Sequence, residues 1–134
     1  MTNDRIREFD LPEEDVEYLD ARGLEWDTIR EGGAQWLLLH DFPIPAGYCV
    51  SQATVALSIT AGYPTSGLDM AYFSPTLALS GGSPIRAADH MVTIRGTAYQ
   101  RWSRHYSSAN PWRPGIDNIS THLGAVEEWL VKEI

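Results

Sequence analysis

Between Leu24 and Phe73 the chain is cut into four short apolar runs, each of strand length, by glycines and prolines. That punctuation leaves no room for a long helix in the first half of the molecule. Ala53, Val55, Leu57 and Ile59 alternate with Thr54, Ala56, Ser58 and Thr60, the period of a strand with one face buried. Leu24–Ile29 alternates in the same way. Gly32-Gly33 then turns the chain into Gln35–His40, so these two runs read as a hairpin. Leu68–Phe73, closed by Pro75, reads as a fourth strand. Pro43 and Pro45 each lack a ladder donor, which predicts an extended edge segment rather than a regular central strand.

Helical signals flank the strands. Asp10, with Glu13 at capping-box spacing and Gly23 as a stop, predicts a helix over 11–22. Ile119, Leu123, Val126 and Leu130 recur at helical spacing and predict a helix over 118–133, capped by Asp117. Ser80–Pro84 is a loop, Met91–Ile94 has the character of a short strand, and Tyr99–Tyr106 stays open between helix and loop. Helix, consecutive strands, irregular segment, helix is the order of an α+β fold: a four-stranded antiparallel meander with helices on one face. A chain of 134 residues suits a single domain over 1–134, with residues 1–10 as a flexible tail.

Charge narrows the partners. The net charge is −8, which disfavours nucleic acid and anionic membranes. No apolar run approaches the ~20 residues that cross a bilayer. The polar N-terminus carries no signal-peptide pattern, so the expected location is the cytoplasm. The charge is also uneven. Met1–Glu31 holds eleven acids against four arginines, whereas Arg86–Gly115 holds five arginines against Asp89 alone. That basic stretch either steers an acidic partner or pairs with the acidic head within the fold.

Few residues are equipped for chemistry. No phosphate loop or zinc-finger spacing occurs, so no cofactor is expected. His40, His90, His105 and His122 share no i, i+4 spacing, and they read as separately satisfied side chains rather than a metal site. Cys49 is the one thiol; with no charge between Asp41 and Asp69 to stabilise a thiolate, it reads as a half-buried structural residue. Arg101-Trp102-Ser103-Arg104-His105-Tyr106-Ser107-Ser108 instead gathers hydroxyls, a histidine and arginines. Serine is a weak nucleophile until a base takes its proton, histidine titrates in the useful range, and arginine stabilises developing negative charge. An ordinary polar loop has the same composition.

Several stretches in order carry a resemblance. They are Trp36–Pro43, Tyr63-Pro64, Leu68–Pro75, Trp102–His105 and Trp112-Arg113-Pro114-Gly115-Ile116-Asp117-Asn118. Over about Leu11 to Ile134 the chain resembles ubiquitin-conjugating enzymes, and most of all their bacterial branch, the prokaryotic ubiquitin-conjugating family E. The resemblance implies a ubiquitin-conjugating-like fold. It also implies a transferase that receives a ubiquitin-like or tandem ubiquitin-like protein from an adenylating activating enzyme and passes its C-terminus to an amine of a protein substrate. A deconjugating peptidase would accompany such a system. Glu13, Glu14, Asp15 and Glu17 correspond to the family's first helix, which docks on the activating enzyme.

One departure matters. The family's acceptor cysteine stands roughly eight residues before the matching tryptophan, which here is Arg104, beside Ser103. The His-Pro-Asn motif is absent as well, with Asp89-His90 its nearest echo. The departure leaves three readings. In the first, the chain is a carrier that forms an oxygen ester on Ser103, with His105 as base and Arg104 as oxyanion or carboxylate contact. A slip of a few residues in that count moves the acceptor to Thr97, Tyr99, Ser107 or Ser108. In the second, it is a catalytically inactive module that positions the ubiquitin-like protein. The third is a small-molecule acyl hydrolase, against which the missing Gly-x-Ser-x-Gly elbow counts.

Overall fold

The computed structural model describes residues 5–134. Its elements run α1 (Glu13–Arg22), β1 (Trp26–Glu31), β2 (Ala34–Pro43), β3 (Gln52–Ser58), β4 (Ala71–Ser74), β5 (His90–Ile94), β6 (Thr97–Trp102) and α2 (Ile119–Lys132). Among the described residues no helix is long and apolar enough to cross a membrane.

The sheet has six strands in the order β1-β2-β3-β4-β6-β5, not the four expected. All neighbours are antiparallel. The addition is the β5–β6 hairpin: β5 is the short strand expected at Met91–Ile94, and β6, not expected as a strand, lies beside β4. Polar Gln100 and Arg101 obscure its alternation in sequence. In the fold Gln100 is buried, and its side-chain oxygen accepts from the Leu77 N–H at 2.9 Å and the Trp102 indole at 3.0 Å. A buried amide with partners satisfies a strand position that hydropathy alone rejects.

Four further expectations shift. Strand β2 runs on to Pro43, through a bulge between Leu39 and Phe42 where Asp41 has φ 56°. A bulge bends the strand and lets a proline finish it. Helix α1 begins after Pro12 with no side-chain cap, because buried Phe9 and Leu11 draw the preceding segment inward and leave Asp10 exposed. Asn118, not Asp117, caps α2: its side chain accepts from the Thr121 N–H at 3.1 Å, and the Thr121 hydroxyl accepts from the Asn118 N–H at 2.9 Å. The expected flexible tail is pinned where it is described. Backbone hydrogen bonds tie it to β1, from Glu8 N–H to Thr28 O at 2.8 Å and from Thr28 N–H to Ile6 O at 2.9 Å. Residues 1–4 of that expectation lie outside the described residues.

Both helices pack on one face of the sheet. Leu19, Ile119, Leu123, Val126 and Leu130 meet Leu37, Leu39, Val55, Leu57, Phe73 and Trp102 in the main core. The other face curls around a smaller core of Ile29, Leu38, Ala56, Tyr72, Ile94 and Tyr99. The curl brings the two outer hairpins together: the Arg95 N–H donates to Glu31, and its guanidinium donates to Glu8 at 2.6 Å.

Tyr63 joins the two helices. Its hydroxyl donates to buried Asp15 of α1 at 2.7 Å and accepts from the Ile119 N–H at the start of α2 at 2.8 Å. Tyr63→Phe strips a partner from both groups, and leaving buried polar groups unsatisfied costs roughly 1–3 kcal/mol. Urea unfolding should show that loss, with an unchanged slope.

Candidate functional site

The site begins where β6 ends. Trp102 is fully buried, edge-on to Phe73 at 5.2 Å, so the strand is anchored at its last residue. The next two residues are held by backbone. The Ser103 N–H donates to Ala87 O at 3.0 Å, and Arg104 O accepts from the Met70 N–H at 2.9 Å. From there an irregular crossing of residues 103–118 leads to α2.

Arg104 turns inward. Its side chain is 5% exposed, lies over Trp102, and reaches Glu133 at the end of α2 at 3.2 Å. Burial, followed by the nearby charge of Arg86, pushes its pKa below the usual arginine value, while Glu133 opposes that. The guanidinium expected to meet a ligand is therefore engaged within the fold.

His105 turns outward. The Met70–Arg104 backbone bond sets Asp69 beside it, and His105 Nδ1 lies 2.8 Å from an Asp69 carboxylate oxygen. With Nδ1–H donating to the carboxylate, the neutral ring keeps its lone pair on Nε2, the arrangement of an oriented base. Asp69 is absent from the expected set because it stands 36 residues away in sequence. Only the pairing of the Met70 strand entry with the crossing makes the two neighbours.

Ser103 Oγ accepts from Arg101 Nε at 3.2 Å. No described hydrogen bond joins Ser103 to His105. Even so, Ser103, Arg104 and His105 share the wall of one cavity of about 350 Å³, with Arg86, Trp129, Lys132 and Glu133. A cationic donor on Oγ favours its ionised form. Arg101 is thus a second residue that the expected set lacks, although its place two positions before Ser103 in a strand was a usable signal.

The alternatives to Ser103 lie elsewhere. Tyr99 is buried in the smaller core, and burial raises its pKa. Thr97 sits at the start of β6, and Ser107 closes a turn with Asn110. Cys49 is exposed rather than half-buried, in the loop between β2 and β3, and is not on the cavity wall. Its N–H is tied to Ala78 O at 2.8 Å.

The rest of the crossing is held by aromatic contacts. The Tyr106 hydroxyl lies 2.8 Å from His122 Nδ1, and His122 Nε2 lies 2.9 Å from Met70 O. A carbonyl only accepts, so Nε2 carries the proton and Nδ1 accepts from tyrosine. The Trp112 indole donates to Pro64 O at 3.0 Å. Its ring fills the place a Cβ on Gly67 would take, 2.7 Å from Trp112 Cγ. Asp117 accepts from the Arg113 N–H at 2.7 Å and pairs with its guanidinium.

A model of prokaryotic E2 family E matches residues 11–133. The chain belongs to that family. Comparison with curated proteins and with solved structures returns no match. Family membership indicates a ubiquitin-conjugating-like role, one in which ubiquitin-like proteins and activating enzymes are the interacting proteins. In this prokaryotic E2 family E chain, Trp112-Arg113-Pro114 lies within the crossing just described. Its cavity-lining members are Ser103, Arg104 and His105.

His122 makes the crossing sensitive to acid. Burial lowers its pKa from 6.5, outweighing its bond to Met70 and the more distant acids Asp69 and Asp117. The unfolded chain then binds more protons than the folded one, so stability rises with pH across the interval below about 6.5 and is lost as pH falls through it. Thermal unfolding between pH 7 and 5 should show a steeper acid loss in the natural chain than in His122→Phe.

Proposed function

We propose that the chain is a ubiquitin-conjugating-like carrier that takes the C-terminus of a ubiquitin-like protein onto Ser103 as an oxygen ester. Ser103 Oγ adds to the activated acyl carbon, and the bond from that carbon to the activating enzyme breaks. His105 takes the Oγ proton at Nε2. An amine of the protein substrate then attacks the ester, and the proton returns to the departing Oγ. Arg101 stabilises charge on Oγ, Asp69 holds the His105 tautomer, and Arg104 shapes the wall through Glu133. The observation that carries the reading is the shared cavity of Ser103 and His105, with a carboxylate behind the histidine and a guanidinium on the serine.

A second reading has its own support. No base touches Ser103 Oγ, which suits a catalytically inactive module that positions the ubiquitin-like protein without covalent chemistry.

Mixing the chain with its activating enzyme, ATP and the ubiquitin-like protein separates the two. The carrier gives a covalent adduct that survives thiol reductant but falls apart in hydroxylamine, as an oxygen ester does. Ser103→Ala abolishes it, and Cys49→Ala leaves it intact. His105→Ala slows its formation by roughly 10²–10⁴-fold, the usual contribution of a general base, and Asp69→Asn slows it in the same direction. Noncovalent binding without any adduct establishes the inactive module.

Docking on the activating enzyme is the second test. Asp15 is buried and bonded to Tyr63, so of the four acids expected to dock it is Glu13, Glu14 and Glu17 that are exposed. Glu14 also accepts from Asn118 at 3.3 Å. Affinity should therefore fall with salt, since exposed charges are screened beyond about 8 Å at physiological ionic strength. Glu13→Lys with Glu17→Lys should remove most of that salt dependence, as followed by calorimetry.

A further inference from the structure

The cavity lined by Ser103 carries more positive charge than the fold uses. Its wall holds Arg86, Arg104 and Lys132 against a single acid, Glu133. Glu133 is taken by Arg104 at 3.2 Å. Arg86 and Lys132 have no ion pair or hydrogen bond from their side chains among the described residues, and neither does Arg101 with any acid; its Nε–H goes to Ser103 Oγ. On a chain of net charge −8, Arg86 and Lys132 on the wall that Ser103 shares, and Arg101 on its hydroxyl, thus stand without an acidic partner. Like charges held together oppose one another, and an anion relieves that opposition.

The chemistry of the anion follows from the wall. Arginine's planar fork matches a carboxylate bidentately, and lysine adds a mobile point charge. Trp129 supplies an apolar surface beside them. A volume of about 350 Å³ stands near the lower end of the ~300–1,000 Å³ range of small-ligand sites. It admits the last few small residues of an extended chain and excludes a folded domain.

We infer that Arg86 and Lys132 form a carboxylate subsite that holds the free C-terminus of a peptide chain against Ser103 and Trp129. The choice of a peptide end over another carboxylate rests on the carrier reading; the positive charge of the cavity does not. Held there, a released or not yet activated C-terminus occupies the wall that carries the acceptor hydroxyl, so it competes with acylation.

The test uses the full chain and three probes: a short glycine-ended peptide with a free carboxylate, its C-terminal amide, and inorganic phosphate. Binding is followed in ¹H–¹⁵N spectra through the Ser103 amide and the Trp129 indole. The acid should bind about tenfold more tightly than the amide, the worth of one well-placed charged contact. Arg86→Gln and Lys132→Gln should each erase most of that difference and leave amide binding unchanged, while the remaining spectrum confirms the fold. Ser103→Ala should keep the preference for the acid. Equal binding of acid and amide overturns the subsite. So does phosphate binding more tightly than the peptide acid, which marks an unspecific anion patch. Acid preference without a Ser103 adduct removes the carrier reading and leaves the subsite standing. An adduct without acid preference removes the subsite alone.

Discussion

The burial of Trp102 is the constraint on which the candidate site depends. The indole is fully enclosed against Phe73, and its N–H is satisfied by Gln100. A large aromatic side chain with its polar atom satisfied is costly to move. The last residue of β6 is therefore fixed in depth and direction. That anchor sets the next three residues: Ser103 is drawn to Ala87, Arg104 to Met70 and Glu133, and His105 to the surface beside Asp69. Three consecutive residues thus take three different environments within one cavity wall.

The second organising force is the division of charge. The acidic head does not neutralise the whole basic stretch. Glu8 and Glu31 take Arg95, where they close the curl of the sheet, and Asp117 takes Arg113. Arg86, on the cavity wall, and Arg101, on the Ser103 hydroxyl, remain without acids among the described residues. Pairing with the acidic head, one of the two readings of the basic segment, thus holds at Arg95. The pairing at Arg95 and Arg113 serves the fold, and Arg86 with Lys132 gives the cavity its sign. Placing cations where a negative group must sit is an ordinary way to bias both binding and reactivity.

The legible parts of the fold were those with local causes. The alternation in β3 and the Gly32-Gly33 turn marked their elements because each answers to its neighbours along the chain. The same holds for the Gly23 stop and the apolar stripe of α2. Strand β6 was hidden because Gln100 is buried with partners at Leu77, a non-local satisfaction that no window of residues contains. The caps slipped for a related reason. Asp117 was claimed by Arg113, and Asp10 was left outward when Phe9 and Leu11 went in, so local capping chemistry yielded to packing.

The sequence by itself determined the family, the α+β class, the absence of a cysteine near the family's acceptor position, and the concentration of hydroxyl, histidine and arginine at residues 101–108. These rest on residue identity and order, which folding does not alter. Tertiary structure decided what each of those residues does. It turned Arg104 from a ligand contact into a buried partner of Glu133 and gave His105 a carboxylate from 36 residues away. It set Arg101 on the Ser103 hydroxyl and brought Arg86 and Lys132 from distant segments to the same cavity. Electrostatic and hydrogen-bond energies depend on separations of a few ångströms, and such separations between remote segments exist only once the chain has folded.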